Sequence, residues 1–301
     1  MFYLRSEPNL NPAARRFGSI ENMRKTICII LFFLPTLLFA QRLQLNIFGG
    51  FSNYQGDLQG KPFTLEQSNA ALGAGLSYSL TGHLLVRAGL VHGKVQADDK
   101  LNKPSLQLRN LNFQTAITEG HLLVEYDLLD ISEHKFTPYA FAGVAVYHFN
   151  PYSFDSLGTK VRLQPLGTEG QGLSQYPDRK PYRLTQFSIP VGGGLKLRLS
   201  DNVTIAYEVG VRILSTDYLD DVSSTYADGT ALLAGKGPEA LTMAYRGDEV
   251  KNGNPVYPAA GTLRGNAKLT DWYYFHGLSL AIGLRTGGWH SRRPRYGCPV
   301  F

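Results

Sequence analysis

The sequence predicts an all-β protein, an eight-stranded antiparallel transmembrane β-barrel with short turns at one end and long loops at the other. Three observations predict it. Apolar residues recur at every second position in eight separate segments, the period of a strand whose two faces meet different solvents. The connections between these segments are short and long in turn. A secretory signal precedes the first of them.

Composition agrees. Of 301 residues, 18% are charged and 43% hydrophobic, with 32 Gly, 17 Tyr, 16 Phe and only 2 Cys. Such a chain is neither disordered, nor a coiled coil, nor a disulfide-stapled miniprotein. A mean hydropathy of −0.16 excludes a bundle of membrane helices, which needs several apolar runs of about 20 residues.

The single apolar run, residues 26–39, follows Met23-Arg24-Lys25, is broken by Pro35 and ends at Ala40-Gln41. A basic start, an apolar middle and a small residue before a polar one describe a signal peptide over 23–40; the alternative, an N-terminal anchor helix, is opposed by the shortness of the run. Cys28 sits among large residues within the run and is a poor lipid-acylation site. Residues 1–22 fit no part of a signal and read as an over-extended start. Cleavage after Ala40 removes five of the 30 basic and two of the 24 acidic residues, which lowers the net charge from +6 to +3. No basic stripe with interleaved aromatics points to nucleic acid. Cys298 is then the one cysteine left, so no internal disulfide can brace the fold.

The barrel is expected over 41–286. Leu43, Leu45 and Ile47 alternate with Gln44 and Asn46. Leu72, Ala74, Leu76, Tyr78 and Leu80 alternate with glycine and serine. Leu84, Val86, Ala88 and Leu90 face away from Arg87, and Leu122, Val124, Tyr126 and Leu128 from His121, Glu125 and Asp127. Segment 136–149 is apolar throughout, so its faces stay ambiguous. Ile189, Val191, Leu195, Leu197 and Leu199 oppose Lys196 and Arg198. Val203, Ile205, Tyr207, Val209 and Val211 oppose Glu208 and Arg212. Last, Trp272, Tyr274, Leu278, Leu280, Ile282 and Leu284 oppose Gly277, Ser279 and Arg285. Short turns at 81–83, 130–135 and 201–202 alternate with long polar loops near 55–69, 97–112, 150–182 and 218–270. Eight strands close with both termini at the short-turn end, which in an outer-membrane barrel is the periplasm.

A lipocalin-like barrel or a β-sandwich would turn its apolar face inward. The opposite face here carries Arg87, Glu125, Lys196, Arg198, Glu208, Arg212 and Arg285, costly to bury in a dry soluble core. Inside a membrane barrel these seven can pair with one another, and an eight-stranded lumen is nearly filled by side chains. They predict a salt-bridged plug. Tyr54, Tyr139, Tyr147, Tyr207, Trp272, Tyr273 and Tyr274, near strand ends, suggest an interfacial aromatic girdle.

The loops and strand ends hold few candidate catalytic groups. Asp217, Asp220 and Asp221 offer carboxylates, and His148, His276 and His290 lie elsewhere, a set that could in principle activate water. No nucleophile elbow, metalloprotease motif, CxxC or phosphate-cradling loop accompanies them, and the spacing is not that of a calcium loop. The acidic run reads as a turn or a hydrogen-bonded girdle, and Gly192-Gly193-Gly194 as a point of barrel curvature. No catalytic site, cofactor or metal is expected.

Several stretches together carry a family resemblance: Ser52-Asn53-Tyr54-Gln55-Gly56-Asp57-Leu58, Arg109-Asn110-Leu111-Asn112-Phe113, Phe136-Thr137-Pro138-Tyr139, residues 163–172, Thr216-Asp217-Tyr218-Leu219-Asp220-Asp221-Val222-Ser223, Arg264-Gly265-Asn266 with Asp271-Trp272-Tyr273, and Cys298-Pro299-Val300-Phe301. The chain resembles the PorG-like outer-membrane barrels of Bacteroidota along essentially its whole mature length. The resemblance implies a barrel in the outer membrane and, through that family's named member, a component of type IX secretion that tethers a periplasmic ring lipoprotein and its partner. Many relatives have no assigned function. A surface-binding or small-channel barrel remains the alternative, and a loop-borne hydrolase a distant one.

The tail 287–301 is basic, with Arg292, Arg293 and Arg295, and ends in Cys298 and Phe301 beside other apolar residues. It reads either as a docking segment for a periplasmic partner, or as the flank of the last strand with Phe301 aiding membrane insertion.

Overall fold

The computed structural model describes residues 43–251 and 253–284. The signal segment, Arg285 and the tail lie outside the described residues. One compact unit runs from Gln44 to Gly283.

Among the described residues ten strands occur in chain order: β1 (Leu43–Gln55), β2 (Asn69–Ser79), β3 (Leu84–Asp98), β4 (Asn112–Asp127), β5 (Phe136–His148), β6 (Tyr152–Phe154), β7 (Lys160–Arg162), β8 (Thr185–Arg198), β9 (Val203–Leu214) and β10 (Trp272–Gly283). Eight of them close a ring in the order β1-β2-β3-β4-β5-β8-β9-β10, with β10 returning antiparallel to β1 from Gln44↔Gly283 to Gln55↔Trp272. Closure leaves no barrel strand with an open edge, the condition for spanning lipid. The two extra strands form a small hairpin within the third long loop, attached to β4 through Gln114↔Tyr152.

Exposure decides which face is which. Leu72, Leu90 and Phe187 are 69%, 65% and 70% exposed, whereas Arg87, Glu125 and Arg212 are buried. The apolar face therefore points outward on every barrel strand and the charged face inward, the pattern of a transmembrane barrel. No helix among the described residues is long and apolar enough to cross a membrane. The ambiguous segment in β5 resolves with Ala140, Ala142, Val144 and Val146 outside and Tyr139, Phe141, Ala145 and Tyr147 inside.

Inside-facing aromatics correct the expected girdle. Tyr54, Tyr139, Tyr147 and Tyr273 are buried, because they fall in the inward phase of their strands. Tyr207, Trp272 and Tyr274 keep the outward phase. Glycines at 192 and 194 answer two of the inward rings. They lie opposite Phe141 and Tyr139 across the β5–β8 ladder, and a Cβ on either would overlap the facing ring and a carbonyl of β9. That glycine pair admits the rings.

The long loops are not merely polar connections. They carry α1 (Pro104–Gln107), α2 (Gly229–Lys236) and α3 (Pro238–Ala244). Leu58, Leu111, Val161, Leu163, Tyr182, Leu219, Val222 and Met243 from all four loops join Tyr54, Phe113, Tyr147 and Tyr273 in one buried apolar cluster. This cluster folds the loops into a cap over the long-loop mouth. Residues 64–68 of the first loop pack beside the barrel wall, where outward-facing Asn53 donates to the Glu66 carbonyl and the Ser68 hydroxyl at 3.1 and 3.0 Å. The outward Tyr274 hydroxyl donates to Thr64 at 2.7 Å.

Candidate functional site: a bonded lumen under a bonded cap

The lumen holds the inward charges in two groups. In one, Arg87 of β3 donates from Nη1 to Glu208 of β9 at 2.8 Å and lies 3.7 Å from Glu125 of β4. The Tyr139 hydroxyl donates to the same Glu208 oxygen at 2.7 Å. Lys196 of β8 bridges Glu125 and Asp127, reaching Asp127 at 2.7 Å. In the other, Arg212 grips Glu119 through Nε and Nη2, each at 3.0 Å, and Tyr273 adds its hydroxyl at 2.7 Å. His121 Nδ1 stands 3.2 Å from the same carboxylate. Three cations also lie over rings, Arg87 over Phe141, Lys196 over Tyr139 and Arg212 over Phe275, at 5.1, 4.6 and 4.5 Å. Charge-assisted and two-pronged pairs of this kind are the stronger hydrogen bonds.

Of the seven charges singled out from sequence, Arg87, Glu125, Lys196, Glu208 and Arg212 meet in the lumen. Arg198 does not. It donates to the Ser132 carbonyl at 2.5 Å at the short-turn rim, because it is the last residue of its strand. Arg285 lies outside the described residues. Glu119, Asp127, Tyr139 and Tyr273 were not among the seven. Glu119 was legible in principle, being in phase with Glu125 six residues on. A cavity of about 30 Å³ remains beside Asn46, Arg87, His121, Glu208, Arg212 and Ser279, room for roughly two water molecules.

Above the lumen, five of the stretches that carry the family resemblance converge, those within 52–58, 109–113, 163–172, 216–223 and 264–273; Phe136–Tyr139 lies at the short-turn end, and Cys298–Phe301 falls outside the described residues. Glu169 accepts the Ser223 and Ser224 amides at 2.9 and 3.1 Å, the Ser224 hydroxyl at 2.6 Å and Arg264 at 3.1 Å. Asp221 accepts the hydroxyls of Thr168 and Tyr182 at 2.6 and 2.7 Å. Arg109 holds Asp99 with two bonds, at 2.7 and 2.8 Å, and reaches the Asp57 carbonyl at 3.1 Å. Tyr54 donates toward both Asp220 and Asp271, at 2.6 and 2.9 Å. Phe149, Tyr182 and Tyr218 stack nearly parallel, with centroids 6.0 and 5.0 Å apart.

Burial shifts the carboxyls of Asp217, Asp220, Asp221 and Asp271 upward. Asp217 is pushed up to about 7 by burial, with Asp57 adding its charge. Asp221 is pushed up to about 6 by burial, against the pull of Arg264. Asp220 and Asp271 are raised by burial and then by neighbouring carboxylates, Asp57 for the first and Asp220 for the second. Among the described residues no cluster of His, Cys, Asp and Glu is arranged to hold a metal ion. The acidic run is a set of acceptors that ties the fourth loop to the end of β1 and to the third loop. His148 and His276 stand on the outer wall, far in kind from that set, beside Thr185 and Tyr207 hydroxyls.

A family model described as "Domain of unknown function (DUF6089)" matches residues 23–165. No curated protein matches the chain significantly. Among solved structures it is similar to Neisserial surface protein A, at 8% identity and TM-score 0.40, over 80% of this chain and 96% of that one. It is similar to Ail, the attachment invasion locus protein of Yersinia pestis, at 8% identity and TM-score 0.36, over 80% and 98%. The outer membrane protein OprG of Pseudomonas aeruginosa gives 13% identity and TM-score 0.37, over 80% and 97%. The barrel itself rests on this chain's own strand register.

Proposed function

We propose that this chain is a sealed, non-enzymatic outer-membrane barrel that serves as a structural anchor or assembly component of envelope machinery, with its termini and short turns in the periplasm and membrane lipids around its wall. One observation carries the reading. Lumen and mouth are each filled by paired charges and packed rings, so the barrel is built as a fixed body and not as a conduit. The resemblance to PorG-like barrels of Bacteroidota extends this to type IX secretion, with a periplasmic ring lipoprotein as partner. In that role the basic tail, with Arg292, Arg293, Arg295, Cys298 and Phe301, is the docking segment, since β10 ends at the short-turn rim, opposite the cap. The test is recovery of the chain from outer-membrane fractions together with periplasmic ring proteins, before and after deletion of residues 291–301. Normal insertion with lost ring recovery supports the reading. Recovery of no envelope partner from either form overturns it.

A second reading, a surface-binding barrel, is favoured by the β6–β7 hairpin. Its tip residue Leu157 is 89% exposed, and Tyr152 carries Lys160 over its ring at 3.7 Å. Replacing the hairpin by a short turn would abolish surface binding and leave ring recovery intact if this second reading holds.

A further inference from the structure

We propose that the outer wall across β2–β5 and β8 holds a binding site for one phosphate-bearing membrane lipid, with an acyl chain lying over Gly120 and the headgroup at His92 and His148. The proposal rests on the membrane-barrel reading and adds a ligand to it.

Three successive outward rows build the site. The middle row runs Ala74, Leu90, Gly120, Val146 and Phe187, cross-strand neighbours in that order on β2, β3, β4, β5 and β8. The row below it begins Leu76, Ala88, Leu122 and Val144. Small residues at 74, 88 and 120 between larger ones leave a groove of about 620 Å³ on the wall, within the 300–1,000 Å³ typical of ligand sites. Gly120 is its floor. Leu90, Val146 and Phe187 flank it, and the groove opens onto the apolar face that meets hydrocarbon, with Gly75, Gly89, His121 and Ala145 at its back.

The row above begins with Leu72 on β2 and is polar on the four strands that follow. His92, Thr118, His148 and Thr185 are cross-strand neighbours on β3, β4, β5 and β8, about 7 Å up the wall from the groove by strand rise. His92 Nδ1 lies 2.9 Å from the Thr118 hydroxyl, and His148 Nδ1 lies 3.0 Å from that of Thr185. These bonds orient both imidazoles and leave each Nε2 without a partner among the described residues. All four side chains are exposed. Lys94, the next outward residue of β3, adds an ammonium group above them. A groove suited to a hydrocarbon chain, topped at its upper rim by two oriented imidazoles, hydroxyls and a cation, matches a chain joined to an anionic phosphate. It does not match a neutral apolar molecule. It also does not match a free phosphate, which would leave the groove empty.

The test is native mass spectrometry of the folded barrel, delipidated and then titrated with dioleoyl phosphatidylglycerol, dioleoylglycerol or inorganic phosphate. Wild type is expected to retain one phosphatidylglycerol at least tenfold more than dioleoylglycerol. Gly120→Leu fills the groove, with a new Cβ in ordinary contact with Leu90 at 3.4 Å, and is expected to lose retention tenfold or more. His92→Asn with His148→Asn is expected to erase the preference for phosphatidylglycerol and keep the weaker retention of dioleoylglycerol. Heat-modifiable migration of each variant reports the barrel separately, so misfolding and lost binding are told apart. Equal retention by Gly120→Leu, displacement of the lipid by inorganic phosphate, or a dimer that Gly120→Leu dissolves would each overturn the proposal.

Discussion

Removing the Glu119 carboxylate tests whether the lumen is a closed network. Glu119 is fully buried and receives a two-pronged Arg212 guanidinium, the Tyr273 hydroxyl and the His121 ring. Glu119→Ala leaves Arg212 as an uncompensated buried cation, which costs about 3–5 kcal/mol, and strands the Tyr273 hydroxyl at about 1–3 kcal/mol more. Water in the adjacent cavity of about 30 Å³ recovers part of this, so the expected loss is about 4 kcal/mol. Arg212→Met alone is also costly, for it leaves the carboxylate unpaired. The double variant, with neither charge, should fall short of the sum of the two single losses by at least about 1 kcal/mol, since contacting residues couple by 0.5–3 kcal/mol. Urea unfolding in lipid vesicles, followed by the heat-modifiable gel shift, reads all three. A single-variant loss below about 1 kcal/mol with additive effects would refute the network.

The cap should fail separately from the barrel: Glu169→Ala removes the acceptor shared by Ser223, Ser224 and Arg264, and limited proteolysis should then cut the third and fourth loops while the heat-modifiable shift persists. Loss of the shift would mean that cap and barrel are one unit. The raised carboxyls give the cap a pH dependence. Asp217 sits near 7 folded and near 3.9 unfolded, so between these values the folded form holds a proton that the unfolded form has lost, and stability falls as pH rises from about 4 to about 7. Because Asp217 is only half-buried, solvent screening shrinks the effect; amide exchange in the fourth loop should be slower at pH 5 than at pH 8 after correction for intrinsic rates, and Asp217→Asn should flatten the difference. Gly192→Ala should cost about 1–3 kcal/mol through overlap with the Val209 carbonyl and the Phe141 ring, which an unchanged unfolding midpoint would disprove. Planar-bilayer recordings of wild type should show no stable, frequent openings; such openings would mean that the lumen conducts.

The sequence by itself determined the barrel strands, their number in the ring, the order of short and long connections and, for every barrel strand but β5, the face turned to lipid. These follow from a period of two, which is a property of neighbours along the chain and survives without any partner. Leu122-Val124-Tyr126 against His121-Glu125-Asp127 is legible at sight. Where that period lacks contrast, as in residues 136–149, only closure of the sheet against β4 and β8 placed Tyr139, Phe141 and Ala145 inside and Ala140 and Ala142 outside. Pairing was decided by the tertiary structure too. Glu119 and Arg212 are 93 residues apart and Tyr54 and Asp271 are 217 apart, and nothing local names one for the other. The loops were least legible of all. Glu169, Asp221 and Arg264 look like ordinary polar loop residues, and become a buried knot only because four loops are delivered to one mouth. A strand's alternation is written in its own residues, whereas a buried charge is stabilised by whatever distant group the closed barrel sets beside it.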